Sequence, residues 1–262
     1  MRTLRILAAL LRIRLTRRVA DPMSFWTAFL VDTSVFAIQA LVFLILYSNV
    51  DQVNGWGRWE AVFFVGTFTL IDALVMSTFF FGLIRLPETI RTGSLDLHLT
   101  RPADSLLRVS LDGADPGSLF IALPALGLLG SAAAGLGLRP GPATLSAYLA
   151  AVAMMYLLFY DLMVLIRVAA FRTPRISGLE SLENVLVEMG FRLPGRVWQG
   201  GAKILFCVVL PYGLIATFPT EVFMGSAGAA AWGSSLGIVG VFTILARMAW
   251  KAGIRRYSGT GT

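Results

Sequence analysis

The sequence predicts an all-α, polytopic membrane protein with six transmembrane helices and an N-terminal interfacial amphipathic helix, residues 1–262 forming a single membrane domain. Three observations predict it. Apolar residues make up 56% of the chain and charged residues only 14%, with a mean hydropathy of +0.75, whereas a soluble domain carries about a quarter charged residues. The apolar residues gather in runs of about 20, the length that crosses a bilayer. Finally, 20 of the 22 basic residues fall on alternate flanks of those runs, as the positive-inside rule demands.

In chain order, Leu4, Leu7, Leu11 and Leu15 share one helical stripe ringed by arginines. That pattern suits a helix lying in the membrane interface over 1–20. Arg5, Arg12 and Arg14 interrupt the stretch and no small-residue cleavage site follows, so it does not read as a cleavable signal peptide. Asp21 as N-cap and Pro22 in the first turn start the next helix. Spans are expected at 25–47, 61–84, 119–138, 145–168, 202–218 and 228–247, the fifth short and carrying Pro211 and Gly213. No internal repeat or low-complexity tract appears.

Orientation follows from the basic residues. Six precede the first span; Arg85, Arg91, Arg101 and Arg108 follow the second. Arg167, Arg172, Arg175, Arg192, Arg196 and Lys203 belong to the end of the fourth and its following segment, and Arg247, Lys251, Arg255 and Arg256 to the sixth. Only Arg58 and Arg139 lie on the other side. Both termini and the segments 85–116 and 169–201 are therefore expected in the cytoplasm, with the protein multi-pass in the inner membrane. Trp26, Trp198 and Trp250 then fall at cytoplasmic ends and Trp56, Trp59 and Trp232 at external ones, forming an aromatic belt. Within 169–201 a polar helix is expected over 177–189, with Ser177 and Glu180 at capping-box spacing and Gly190 as its end.

Several function classes are excluded or disfavoured. The net charge of +7 is the cytoplasmic-loop bias of a membrane protein, and no basic, aromatic-interleaved patch of the nucleic-acid kind appears. A single Cys207 and a single His98 supply neither a disulfide framework nor a multi-residue metal site, so no metal and no cofactor are expected. The only lysines are Lys203 and Lys251; Gly195 to Lys203 comes near a phosphate-binding loop, but Gly201 stands where its lysine belongs. The chain binds no ATP by that route. The only histidine, His98, lies in a loop away from the spans, so a serine within them has no positioned base, and no catalytic residue is assigned.

Asp32, Asp72 and Asp161 fall inside the expected spans. A carboxylate at a helix centre costs about 2.5–3.5 kcal/mol on insertion scales, so each must face protein or water. Asp72, near mid-depth of the second span, suits a polar lining of a transport path and an interhelical packing role equally well. Asp161 is a further path candidate, but for it and Asp32 packing is the favoured reading; Arg167 stands six residues beyond Asp161, a poor spacing for a pair on one helix. Gly127, Gly130, Gly135 and Gly137 of the third span, and Gly233 with Gly237 of the sixth, permit close helix contact.

The segment after the second span reads PETIRTGSLDLHLTRPADSLLRVSLDG. Its Gly93-Ser94-Leu95-Asp96, followed by Leu99-Thr100-Arg101-Pro102, resembles the G-x-L-D…L-x-R-P signature of ABC-2 type permeases, in particular the branch of small six-span permeases made as separate polypeptides. Leu210-Pro211, Phe218-Pro219-Thr220 and Met224-Gly225 are similar to that branch's fifth span and external turn. The resemblance implies a cytoplasmic coupling helix after the second span that docks into a separate ABC ATPase subunit through Gly93, Asp96, Arg101, Pro102 and Leu106. It also implies a second permease subunit, in a homodimer or a heterodimer, and export; the apolar, aromatic composition of the first two spans suits a hydrophobic or amphipathic substrate and equally suits lipid contact. The residues are compatible with this. Gly93 permits a bend, Asp96 and Arg101 can cap or pair across the turn, and Pro102 can open a helix over 103–111 that offers Leu106 and Leu107 for contact. A membrane scaffold or assembly factor is the alternative, less so an intramembrane enzyme; copurification of an ATPase separates them.

Overall fold

The computed structural model describes residues 22–53, 55–100, 104–173 and 176–257. The interfacial helix expected over 1–20, the Asp21 cap, the Asp32 side chain, Arg101 and Pro102 lie outside the described residues. Among those described, the secondary structure is helical apart from one isolated bridge between Val53 and Trp56.

The hub is α2 (Arg58–Thr78), which follows α1 (Pro22–Asn49). It begins where the Glu60 carboxylate accepts the Gly57 N–H at 3.1 Å. Its residues are buried on every face from Ala61 to Thr69, as a helix apolar all round must be. By contrast, α1 meets the core along one stripe, Phe36, Gln39, Ala40 and Phe43, and turns Leu30, Val31, Ile38, Leu41 and Val42 outward. A short α3 (Phe80–Ile84) continues α2 after a break at Phe79. Three short helices follow: α4 (Leu86–Arg91), α5 (Asp96–Leu99) and α6 (Ser105–Asp112).

A 3₁₀ turn over Pro116–Ile121 leads into α7 (Ala122–Gly135), and α8 (Pro142–Val168) comes next. Gly135 lies flat on the Trp59 ring and Gly66 of α2 on Leu128 and Leu129, so α7 approaches α2 closely. The other glycines expected to mediate contact, Gly127, Gly130, Gly137, Gly233 and Gly237, have nothing within 4 Å where a Cβ would stand. They do no close packing within this chain. Against the other side of α2, the Tyr148 hydroxyl of α8 shares a hydrogen bond with Thr67 at 3.1 Å and that of Tyr156 with Thr78 at 2.7 Å.

The polar helix expected over 177–189 is α9 (Ser177–Arg192), three residues longer. Its N-cap is Ile176 with no side-chain cap bond, so Ser177 and Glu180 do not form a capping box. Gly190 does not end the helix. It lies inside, where a Cβ would stand 2.8 Å from the Tyr212 carbonyl oxygen. Nor does the whole segment stay at the end of the bundle carrying the 85–116 loop. Phe191 packs on Phe36 of α1 and Phe68 of α2, centroids 5.6 and 4.7 Å away. Five residues on, Arg196 donates to Glu221 at 2.6 Å and Ser226 at 3.2 Å and sits over the Trp56 ring, all three expected at the opposite end. Trp198 stacks on Phe206, centroids 4.2 Å apart.

The fifth span is broken. Short α10 (Gly200–Ile204) runs into a π-helical turn, Leu205–Val209, and a 3₁₀ turn, Pro211–Gly213, before α11 (Leu214–Phe223), with an 83° bend between the arms. Pro211 has no N–H to continue the ladder, and Leu210 leaves the helical region at φ −128°, ψ 73°. A Cβ on Gly213 would stand 2.9 Å from the Phe206 carbonyl, so glycine lets the arms close. α12 (Ala229–Ile254) completes the chain's spans. Five described helices are long and apolar enough to cross a membrane; the bent pair would make a sixth span only with its ends on opposite sides, whereas Arg196 ahead of it pairs with Glu221 at its far end, as in a re-entrant hairpin.

Candidate functional site

Two features stand out: the folded loop between α3 and α7, and a cavity between α1, α2, α8 and α9. The loop turns back under α2 because two glycines let backbones touch. A Cβ on Gly82 would overlap the Ser110 carbonyl, and one on Gly113 would overlap the Gly82 backbone. Gly93 ends α4 at φ +74°, a left-handed conformation that disfavours side chains. Asp96, half-buried, starts α5. The helix expected over 103–111 begins at Ser105, and Asp104 opens it by accepting the Leu107 N–H at 3.1 Å.

This loop is anchored to the spans. Asp104 pairs with Arg247 of α12, the Trp250 indole donates to Ser105 at 3.1 Å, and Ser110 shares a hydrogen bond with Tyr160 of α8 at 3.1 Å. Burial pushes the Asp104 carboxyl up, but the Leu107 N–H, the Arg247 guanidinium and the Leu106 N–H together hold it below the ordinary carboxylate value. Leu106, expected to face a partner, is 1% exposed in the protein's own core. Helical geometry turns it inward and its neighbour outward. Among the described residues, the loop's exposed large apolar groups are Leu97, 69% exposed, and Leu107, 43% exposed, together with Leu119 and Phe120 in the 3₁₀ turn that leads into α7.

The cavity measures about 450 Å³. α1 contributes Gln39, α2 Asp72 and Met76, α8 Met163 and Arg167, and α9 Glu183, Glu188 and Arg192; phenylalanines from α1, α2, α3, α8 and α9 fill out its walls. Asp72 is half-buried on this wall. Asp161 is not part of it. That carboxylate is 2% exposed and accepts the Thr243 hydroxyl of α12 at 2.5 Å, a contact between α8 and α12. Arg167 turns away from Asp161 and pairs with Glu183 at 2.5 Å, with Glu180 at 3.7 Å. Sequence reasoning misses Glu183 and Phe191 and gives Glu180 only a capping role. The signal for the ion pair is an arginine ending a long apolar run with an amphipathic, acidic helix following.

A family model described as ABC-2 family transporter protein matches residues 33–261. The chain belongs to that family. No curated protein and no solved structure matches it. As an ABC-2 family member it is a multi-pass membrane component of a transporter, without an ATP-binding site of its own, and family members generally work with ABC ATPase partners.

Proposed function

We propose that this chain is the permease subunit of an exporter whose ATP is hydrolysed by a separate ABC ATPase, with a second permease subunit completing the pore and a hydrophobic or amphipathic molecule as cargo. The observation that carries the proposal is the loop between α3 and α7. It exposes Leu97 and Leu107 while Asp104, Ser105 and Ser110 bind it to α12 and α8. A contact made at the exposed leucines is thereby transmitted to two spans through a small rigid body. Gly93 ends α4 and Asp96 starts α5 just ahead of Leu97, Leu106 holds the loop to the core, and Arg101 and Pro102 join the proposed coupling residues on the motif alone.

The experiment is co-expression with its ATPase, capture on the permease, and cargo-stimulated hydrolysis in vesicles. Truncating a central apolar anchor typically costs about 2 kcal/mol or more of binding. Leu97→Asp and Leu107→Asp should therefore lower ATPase capture by about tenfold or more. Asp96→Ala should lower capture or uncouple hydrolysis from transport, with membrane insertion unaffected. Wild-type capture and coupling in all three variants would sink the assignment.

A further inference from the structure

We propose that the outward face of α12, at its C-terminal end, binds a phospholipid with an anionic headgroup. Lys251 and Arg255 hold the headgroup, and Ile244 and Met248 meet the acyl chain. The site needs only that α12 crosses the bilayer and stands apart from the motor assignment.

Helical spacing divides α12 into two faces. Ser235, Val239, Ala246, Trp250 and Gly253 are buried against the bundle, and a Cβ on Gly253 would overlap the Phe171 ring. On the opposite face Val241, Ile244 and Met248 are exposed, at the three- and four-residue spacing of one helical stripe. In a chain that spans a membrane, such a face lies against acyl chains. Lys251 and Arg255 continue the stripe at the same spacing, and both are exposed. At a rise of 1.5 Å per residue they stand about 4.5 and 10.5 Å beyond Met248 along the axis. The polar zone has begun there, since Arg247, beside Met248, is paired with Asp104 of the loop between α3 and α7.

The charges on this stripe select the ligand. Arg247 is taken up by Asp104. Neither Lys251 nor Arg255 forms an ion pair with another described residue. Two cations one turn apart, directly over acyl chains, suit a phosphate that both can reach, with the guanidinium supplying a fork of donors. A zwitterionic headgroup brings its own cation and gains little from two more. A second copy packed on this face about a twofold axis would set each cation against its equivalent. A water-soluble partner could not follow the stripe back to Ile244.

The test is native mass spectrometry of the purified permease in detergent, titrated with phosphatidylglycerol and phosphatidylcholine of identical acyl chains. Phosphatidylglycerol should be retained at the lower concentration. A basic residue near an anionic lipid surface is worth about fivefold in binding, so Lys251→Gln with Arg255→Gln should weaken phosphatidylglycerol by about 25-fold and leave phosphatidylcholine as it was. Lys251→Arg with Arg255→Lys keeps both charges and should keep the preference. Arg139→Gln removes an exposed cation from the turn between α7 and α8 and should change nothing. Inorganic phosphate in large excess should not displace the lipid, because it cannot use Ile244 and Met248. Equal retention of the two lipids, an undiminished preference in the double glutamine variant, or an equal loss in Arg139→Gln would overturn the assignment. Displacement by inorganic phosphate would overturn it too, leaving an anion site in place of a lipid site.

Discussion

Arg167 and Glu183 show how one side chain fixes the position of a helix. The two are 4% and 3% exposed and meet at 2.5 Å, tying the end of α8 to the start of α9. Removing charges from water costs several kcal/mol per ion, and a buried pair repays this only in part; stranding one partner is worse than removing both. Arg167→Met should therefore destabilise the protein by about 3–5 kcal/mol, because it leaves Glu183 charged in an apolar setting. Adding Glu183→Leu should restore most of the loss. Thermal unfolding in detergent, compared across the two single variants and the double, checks this; a double variant as unstable as Arg167→Met would refute it. From the sequence, Arg167 was legible as an interfacial cation, but its partner was not, since Glu183 lies on another helix and no spacing rule reaches across a turn. Asp161 was legible as a carboxylate that must be satisfied, and the satisfying group, Thr243, is 82 residues away.

At the scale of elements, the unbroken apolar helices are legible from hydropathy because length and composition alone make them long and apolar enough to cross. The broken fifth span and the short loop helices were harder. Pro211 and Gly213 signalled a defect, but the size of an 83° bend depends on tertiary contact between Gly213 and Phe206. The start of α6 shows the same limit: Pro102 offered a helix start, and Asp104 provides it because its carboxylate reaches the Leu107 N–H and Arg247 together. The folded carboxyl lies below its ordinary value despite burial. Its contribution to stability is therefore present above the unfolded-state value and is lost as pH falls through the folded one. The group is 40% exposed, so solvent screening keeps the ion-pair part small; the cap itself is worth about 0.5–2 kcal/mol. Asp104→Ala should lower the melting temperature at neutral pH. The gap to wild type should close as the buffer is taken below the ordinary carboxylate range. A gap independent of pH would show that the charge contributes nothing.

At the scale of the whole molecule, the positive-inside count assigns a side to every arginine, and it does so without knowing which arginines have partners. Arg196 is the case where this matters. It stands only four residues after Arg192, the last residue of α9, and sequence alone puts both in one cytoplasmic segment. In the fold, α9 climbs past Phe36 and Phe68, so Arg196 arrives beside Trp56, Glu221 and Ser226. There Glu221 supplies the charge that makes the placement tolerable. With Arg196 moved, the inner count loses one arginine, and the large excess that remains is still the reason to propose the termini on that side. With the lone Cys207 replaced by serine, single cysteines can report each position in intact cells. Arg196→Cys and Ser226→Cys should react with a membrane-impermeant maleimide from outside, the first more slowly because its site is only 34% exposed. His98→Cys should react only after the membrane is opened. Labelling of position 98 from outside would reverse the orientation of the whole bundle. Labelling of 226 but never 196, with 196 reacting from the cytoplasm, would return α9 to the inner surface and remove the wall of the cavity with it.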